Sequence, residues 1–335
     1  MSFIARLIAG LLGIVFLAGA AVYAATVPAE VYKHPQTLVS IGGRHINLYC
    51  VGKGKPTVLL DSGSGDTMLS WTTVQLQIAE FTRVCSYDRA GYGFSDPPRG
   101  QSDANAVVAD IHGLIHSSQM DVPVIYVGHS IAGLYGLLLE AKHPDDVAGE
   151  VLVDPSFVGQ FAPPGIAVAK KALATMRSCL ALAEKGELVH PKTKTAQDCV
   201  DVGSVPDPAL REVLVALQAD PKDIKTGISE FSNFAPPSVG HPSNDERELE
   251  QVKVSFGNKP LTVLTRSKFY DPNATAEQLA AQRKRWTAGH DRIAALSKRG
   301  KNVLVPNSNH EIQIAQPAVV VSAVRSVVIE LREEK

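Results

Sequence analysis

Charge of one sign is missing from this chain: 33 lysines and arginines stand against 34 aspartates and glutamates, a net of −1 over 335 residues, with the two signs interspersed. Neither a nucleic acid nor a strongly charged surface is therefore implied as a partner. Cysteine is scarce, at four residues, and no histidine–cysteine cluster has metal-ligand spacing. No glycine loop has the phosphate-binding pattern, so no cofactor and no metal are expected. Repeats and low-complexity stretches are lacking as well, and with 45% hydrophobic residues the chain can bury one large core. The chemistry is left to side chains.

What is present is concentrated at Gly128-His129-Ser130-Ile131-Ala132-Gly133. The run before it, Val122 to Val127, is apolar and β-branched enough for a buried strand. After it, Leu134, Leu137, Leu138 and Ala141 recur at helical spacing until Pro144 stops the helix. A strand that enters a helix without a loop puts the apex residue in a strained turn, its side chain above the sheet. Neighbours two positions away must be small, and Gly128 and Ala132 are. The usual G-x-S-x-G pattern has glycine where this chain has Ala132.

On these residues the chain resembles the α/β-hydrolase superfamily over roughly residues 40–330, and three further segments carry the resemblance. Thr57 to Asp66 is a strand emptying into a glycine-rich loop, with Ser62-Gly63 where the family usually has His-Gly. The likeness implies that the amides of Ser64 and Ile131 form the oxyanion hole, where backbone donors meet the charge that builds during acyl transfer. Arg83 to Asp96 is similar to the family's D-x-x-G-x-G-x-S loop, in which Asp88 and Arg89 would brace the nucleophile and oxyanion loops. Asn302 to Glu311 is a late strand and loop where the family keeps its general base, which singles out His310 to activate Ser130.

The acid should fall between serine and histidine. Asp154 ends the strand Glu150 to Val153, while Asp271 trails the strand Leu261 to Thr265 by several residues. Most relatives use the later strand, with the acid close behind it, and some use the earlier one. No acid follows Thr265 promptly, which favours Asp154 over Asp271. Its role would be to fix the histidine tautomer and stabilise the imidazolium.

The resemblance implies an α/β fold, a mostly parallel central sheet flanked by helices, with core segments 36–156 and 259–335. The intervening 157–258 exceed a simple crossover. Helical patterns over Val168–Leu188, Pro208–Ala219 and Asp245–Val254 suggest a helical cap, with Leu173, Met176, Leu180 and Leu214 facing a pocket or the core. The implied activity is that of a serine hydrolase on small-molecule carboxylic esters. Amide or peptide-terminal hydrolysis stands as an alternative, for which Glu184, Glu187 and Glu230 would be the acids to place. A ligand-binding relative without turnover is a further one. By analogy with the family's strand order Cys50 and Cys85 sit on adjacent strands, and Cys179 and Cys199 share one helical insert, so two disulfides or four buried thiols are both open.

Residues 1–25 stand apart. From Leu7 to Ala25 no residue is charged, and Arg6 precedes the run. Its length suits a membrane-spanning helix, while Ala18-Gly19-Ala20 and Val22-Tyr23-Ala24 offer cleavage sites for a secretory signal. Either reading exports the remainder: membrane-anchored with an extracytoplasmic catalytic domain, or secreted or periplasmic.

Overall fold

A computed structural model describes residues 27–202, 207–270 and 274–334. Strands β1 (Thr37–Ile41), β2 (Arg44–Val51), β3 (Val58–Asp61), β4 (Val84–Tyr87), β5 (Val124–His129), β6 (Val147–Val153), β7 (Gly257–Arg266) and β8 (Ser297–Val305) form one sheet. Its order is β1-β2-β4-β3-β5-β6-β7-β8. The first two strands run antiparallel to their neighbours, and every later pairing is parallel. Strands β3, β4 and β5 are buried at every residue, which is why they read as unbroken apolar runs rather than alternating ones.

Helices α1 (Gln75–Ala79), α2 (Ala104–Ser117) and α3 (Ala132–Lys142) connect the first strands. Between β6 and β7 come α4 (Pro163–Ala183), α5 (Lys194–Cys199), α6 (Pro208–Gln218), α7 (Pro221–Phe234) and α8 (Asn244–Glu250), the inserted cap. Helix α9 (Ala276–Ala294) precedes β8, and α10 (Ile312–Ala315) and α11 (Pro317–Glu333) follow it. One face of the sheet buries Leu59 and Leu152 against Ile111, Leu134 and Ile293 of α2, α3 and α9. The other buries Leu60, Val151 and Val153 against Ile78 of α1 and Val320, Val324 and Val327 of α11. Successive strand residues thus serve opposite faces, and each such side chain, fully buried, contributes about 1.5–3 kcal/mol.

Helix starts follow from local chemistry. Asp207 and Asp220 each accept a backbone N–H from the first turn of a helix that opens with proline. Ser243 with Glu246, and Thr275 with Gln278, close reciprocal capping boxes. The cap contains two helices that hydrophobic periodicity did not anticipate, α5 and α7. Leu214 packs with Met68 and Leu69 rather than lining an open pocket. Both disulfides are formed, Cys50–Cys85 across directly paired residues of β2 and β4, and Cys179–Cys199 between α4 and α5.

The expected membrane attachment needs correction. Among the described residues no helix is long and apolar enough to cross a membrane. The longest, α4, carries Lys170, Lys171 and Arg177, whose burial in hydrocarbon would be costly. Residues 1–25, on which the anchor or signal expectation fell, lie outside the described residues.

Candidate active site

Ser130 stands between β5 and α3 with φ of +55°, a left-handed conformation that strains a residue bearing a Cβ. Its surroundings hold it there. The Ser130 N–H donates to the Val153 carbonyl at 3.1 Å, and its own carbonyl accepts from Gly133 at 2.9 Å and Ser156 at 2.8 Å. A Cβ on Gly128 would lie 2.8 Å from the Ala132 carbonyl oxygen, and one on Gly133 would lie 2.3 Å from Pro155 Cβ. Ala132 is fully buried, so its methyl group fits where the usual pattern has glycine.

The register pairs Asp61 with Gly128 and His129 with Val153, so β3, β5 and β6 end level beside the serine. This is the edge where strand order reverses and where open α/β sheets gather ligands. His310, in the loop after β8, places Nε2 3.0 Å from Ser130 Oγ and Nδ1 2.6 Å from Asp154 Oδ2. Asp154 is completely buried, immediately after β6, with φ of +44°. The competing Asp271 lies outside the described residues.

Three further donors converge on Asp154. The Arg266 N–H and Trp286 Nε1 donate to Oδ1 at 3.0 and 2.9 Å, and Arg266 Nη1 lies 3.2 Å from Oδ2. Burial pushes the carboxyl upward, but the His310 hydrogen bond and the Arg266 charge outweigh it, and the net displacement is below the usual range. The acid is thus held ionised, as an orienter of imidazolium must be. Sequence reasoning missed Arg266 and Trp286, which come from the end of β7 and the middle of α9. Also missed was His290, whose Nε2 lies 2.8 Å from the Pro155 carbonyl and whose Nδ1 lies 2.6 Å from Thr265 Oγ1. Burial pushes this imidazole down to about 4, so it serves the Asp154 turn as a neutral group.

His129, read from sequence as an ordinary neighbour, has a structural task. Its Nε2 lies 3.1 Å from the His310 carbonyl, a contact that requires the proton on Nε2. Burial first and the neighbouring His310 second push it down to about 4, which keeps the ring neutral while it ties the base's loop to the elbow.

Ile131 begins α3 and Ser64 lies in the loop after β3. Among the described residues neither amide donates to a protein acceptor. Their loop is braced by Arg89, nearly buried, whose guanidinium donates to the carbonyls of Ser62 and Gly63 at 2.5 and 2.6 Å and to Asp61 Oδ1 at 2.7 Å. Tyr126 extends the brace, its hydroxyl 2.6 Å from Asp61 Oδ2 and 2.9 Å from the Ala132 carbonyl. Asp88 braces the next stretch, accepting from the Met68 N–H at 3.0 Å. From the cap, Glu230 of α7 accepts from Arg89 Nε at 3.0 Å and from the Gly65 N–H at 3.2 Å.

Donor atoms of His129, His310 and Glu311 lie within 4.8 Å of one another. Both ring nitrogens of His310 are already engaged by Ser130 and Asp154, so this cluster does not fit a resident metal.

Residues 58–323 match the family model described as the alpha/beta hydrolase family. The chain belongs to that family. Among curated proteins it is similar to YqjL of Bacillus subtilis, 22% identical over 276 residues, or 82% of this chain and 85% of that protein. It is also similar to YbdG of the same organism, 27% identical over 135 residues, which spans 40% of this chain but only 42% of YbdG. Among solved structures, the epoxide hydrolase CorEH superposes with a TM-score of 0.65 at 17% identity, covering 88% of this chain and 98% of that one. That likeness is one of fold. Family membership and the Ser130–His310–Asp154 geometry together support a serine-hydrolase mechanism.

Proposed function

We propose that this protein hydrolyses carboxylic esters of small or lipophilic substrates through an acyl-enzyme, with Ser130 as nucleophile, His310 as general base and acid, and Asp154 as orienter. The observation that carries the reading is the continuous hydrogen-bonded line from Ser130 Oγ through both His310 nitrogens to an ionised, buried Asp154. His310 takes the hydroxyl proton as Oγ attacks the carbonyl, and the oxyanion forms against the amides of Ile131 and Ser64. The imidazolium then protonates the leaving alcohol. Water repeats the sequence to free the acid. Trp286, which donates to Asp154, packs edge to face with Phe157 and Phe269.

A serine at the elbow argues against the epoxide-opening chemistry that related folds perform with an aspartate nucleophile. Glu230 is committed to Arg89, Tyr92 and Gly65, and Glu184 pairs with Lys225 on the cap. Neither is free to hold a substrate ammonium, which weakens the peptide-terminal alternative. The test is fluorophosphonate labelling of the purified protein, paired with turnover of p-nitrophenyl esters of increasing chain length. Labelling confined to Ser130 and lost in Ser130→Ala is expected; an unlabelled Ser130 with no ester cleaved overturns the proposal.

A further inference from the structure

Strand β6 is flanked by two aspartates. Asp154 follows its last residue and serves the triad; Asp146 precedes its first, at the opposite edge of the sheet. The seven residues of β6 separate them by about 25 Å of extended chain. Asp146 is nearly buried, yet its two oxygens are each met by an imidazole of α2: Oδ2 lies 2.6 Å from His112 Nδ1, and Oδ1 lies 2.7 Å from His116 Nε2. These histidines sit four apart, on one face of the helix. A third, His143, stacks on His112 with ring centroids 4.0 Å apart and planes tilted by 14°. Its ring has no hydrogen-bond partner among the described residues, although donor atoms of His112, His143 and Asp146 all lie within 4.8 Å of one another.

We propose that His112, His143 and Asp146 form a binding site for a divalent transition metal of the zinc type, with His116 holding the second Asp146 oxygen. The donor set is imidazole nitrogen plus one carboxylate oxygen, which suits zinc, nickel or copper(II) and not the oxygen-loving calcium or magnesium. Ligand atoms around tetrahedral zinc are about 3.3 Å apart, given bonds of about 2.0–2.1 Å. Reaching that spacing requires the stacked, partly exposed rings of His112 and His143 to rotate, with the ion replacing the proton shared between Asp146 and His112. The ammonium of Lys142, next to His143 in sequence, donates to Asn105 Oδ1, and that of Lys259 is held by Glu140 and the Pro144 carbonyl. A bound ion would clamp α2 to the turn that launches β6. The expectation of no metal site rested on histidine–cysteine spacing, whereas this cluster joins His112-x-x-x-His116 to His143-x-x-Asp146.

The experiment is zinc titration of the chelator-stripped full-length protein by calorimetry, with thermal melting as a second readout. One saturating site and a raised melting temperature are expected. Binding should weaken at least about 10-fold in His143→Ala and in His112→Gln, both at half-exposed positions, while ester turnover of these variants without metal stays at the wild-type level. Retention of the site after fluorophosphonate modification of Ser130 would support the proposal. It is overturned if no saturable site appears. It is equally overturned if binding survives His143→Ala but is lost in His310→Ala, which would put the ion on His129, His310 and Glu311.

Discussion

The triad end of the sheet and the seam between cap and core both bury carboxylates, but they treat them in opposite ways. Asp154 receives four donors and stays ionised although burial opposes it. At the seam, Asp245 of α8 is equally buried but accepts only the Ala104 N–H on Oδ1, and its Oδ2 has no hydrogen-bond partner. Burial accordingly pushes it up to about 8, and the α7 residue Asp223 up to about 6. Where the chemistry needs a charge, the fold supplies donors from three places in sequence. Where a helix merely docks, a neutral acid with a single bond suffices. Glu230 at the seam is treated differently, paired with Arg89 and accepting from the Gly65 N–H in the loop after β3.

The largest expected effect tests the charged side of this contrast. Asp154→Asn keeps the shape but removes the acceptor that sets the His310 tautomer, so kcat should fall by about 10⁴-fold with the fold intact by circular dichroism. A loss under 10-fold would mean that the four-donor environment is not serving catalysis. Next, Glu230→Gln removes a buried charge opposite Arg89 and slackens the Gly65 contact. A kcat decrease of about 10-fold with little change in KM is expected, below the roughly 10²-fold loss typical of deleting an oxyanion donor outright. Glu230→Asp should recover part of it. Equal loss in both variants, or a change in KM alone, would reduce Glu230 to ordinary cap docking.

The smallest effect is on stability, and its sign differs between the two regions. Between about pH 4 and 8 folded Asp245 holds a proton that the unfolded chain releases, so this group makes stability fall as pH rises through that window. His129 and His290, pushed down to about 4, act oppositely: the unfolded chain binds protons below about pH 6.5 that the folded state refuses, and stability falls as pH drops toward 4. Denaturant unfolding from pH 5 to 8 should therefore show a decline at the alkaline end. Asp245→Asn should flatten it by on the order of 1 kcal/mol per pH unit. An unchanged slope would show that the seam acid is ionised after all.

The elbow was legible in the sequence because strand, serine and helix are contiguous, so their patterns constrain one another. Asp154 was legible as a strand-end acid, its competitor Asp271 lying too far behind Thr265. The donors that hold Asp154 were not, because Arg266 and Trp286 are brought to it by strand order and helix packing, neither of which leaves a local signal. Helix α7 escaped for a different reason. Its buried positions Asp223, Thr226, Glu230 and Asn233 recur at helical spacing but are polar, so a search for apolar periodicity reads the segment as solvent-facing. In the first loop, where Ser62-Gly63 stands in place of His-Gly, Arg89 donates to both the Ser62 and the Gly63 carbonyl, a link between distant segments that leaves no local signal.

The single bond from the Gly65 amide to Glu230 makes the cap part of the machinery it covers. The two ends of this contact lie 165 residues apart in sequence, so the loop after β3 and helix α7 share one polar link, and any displacement of that helix would be felt at the loop beside Ser130.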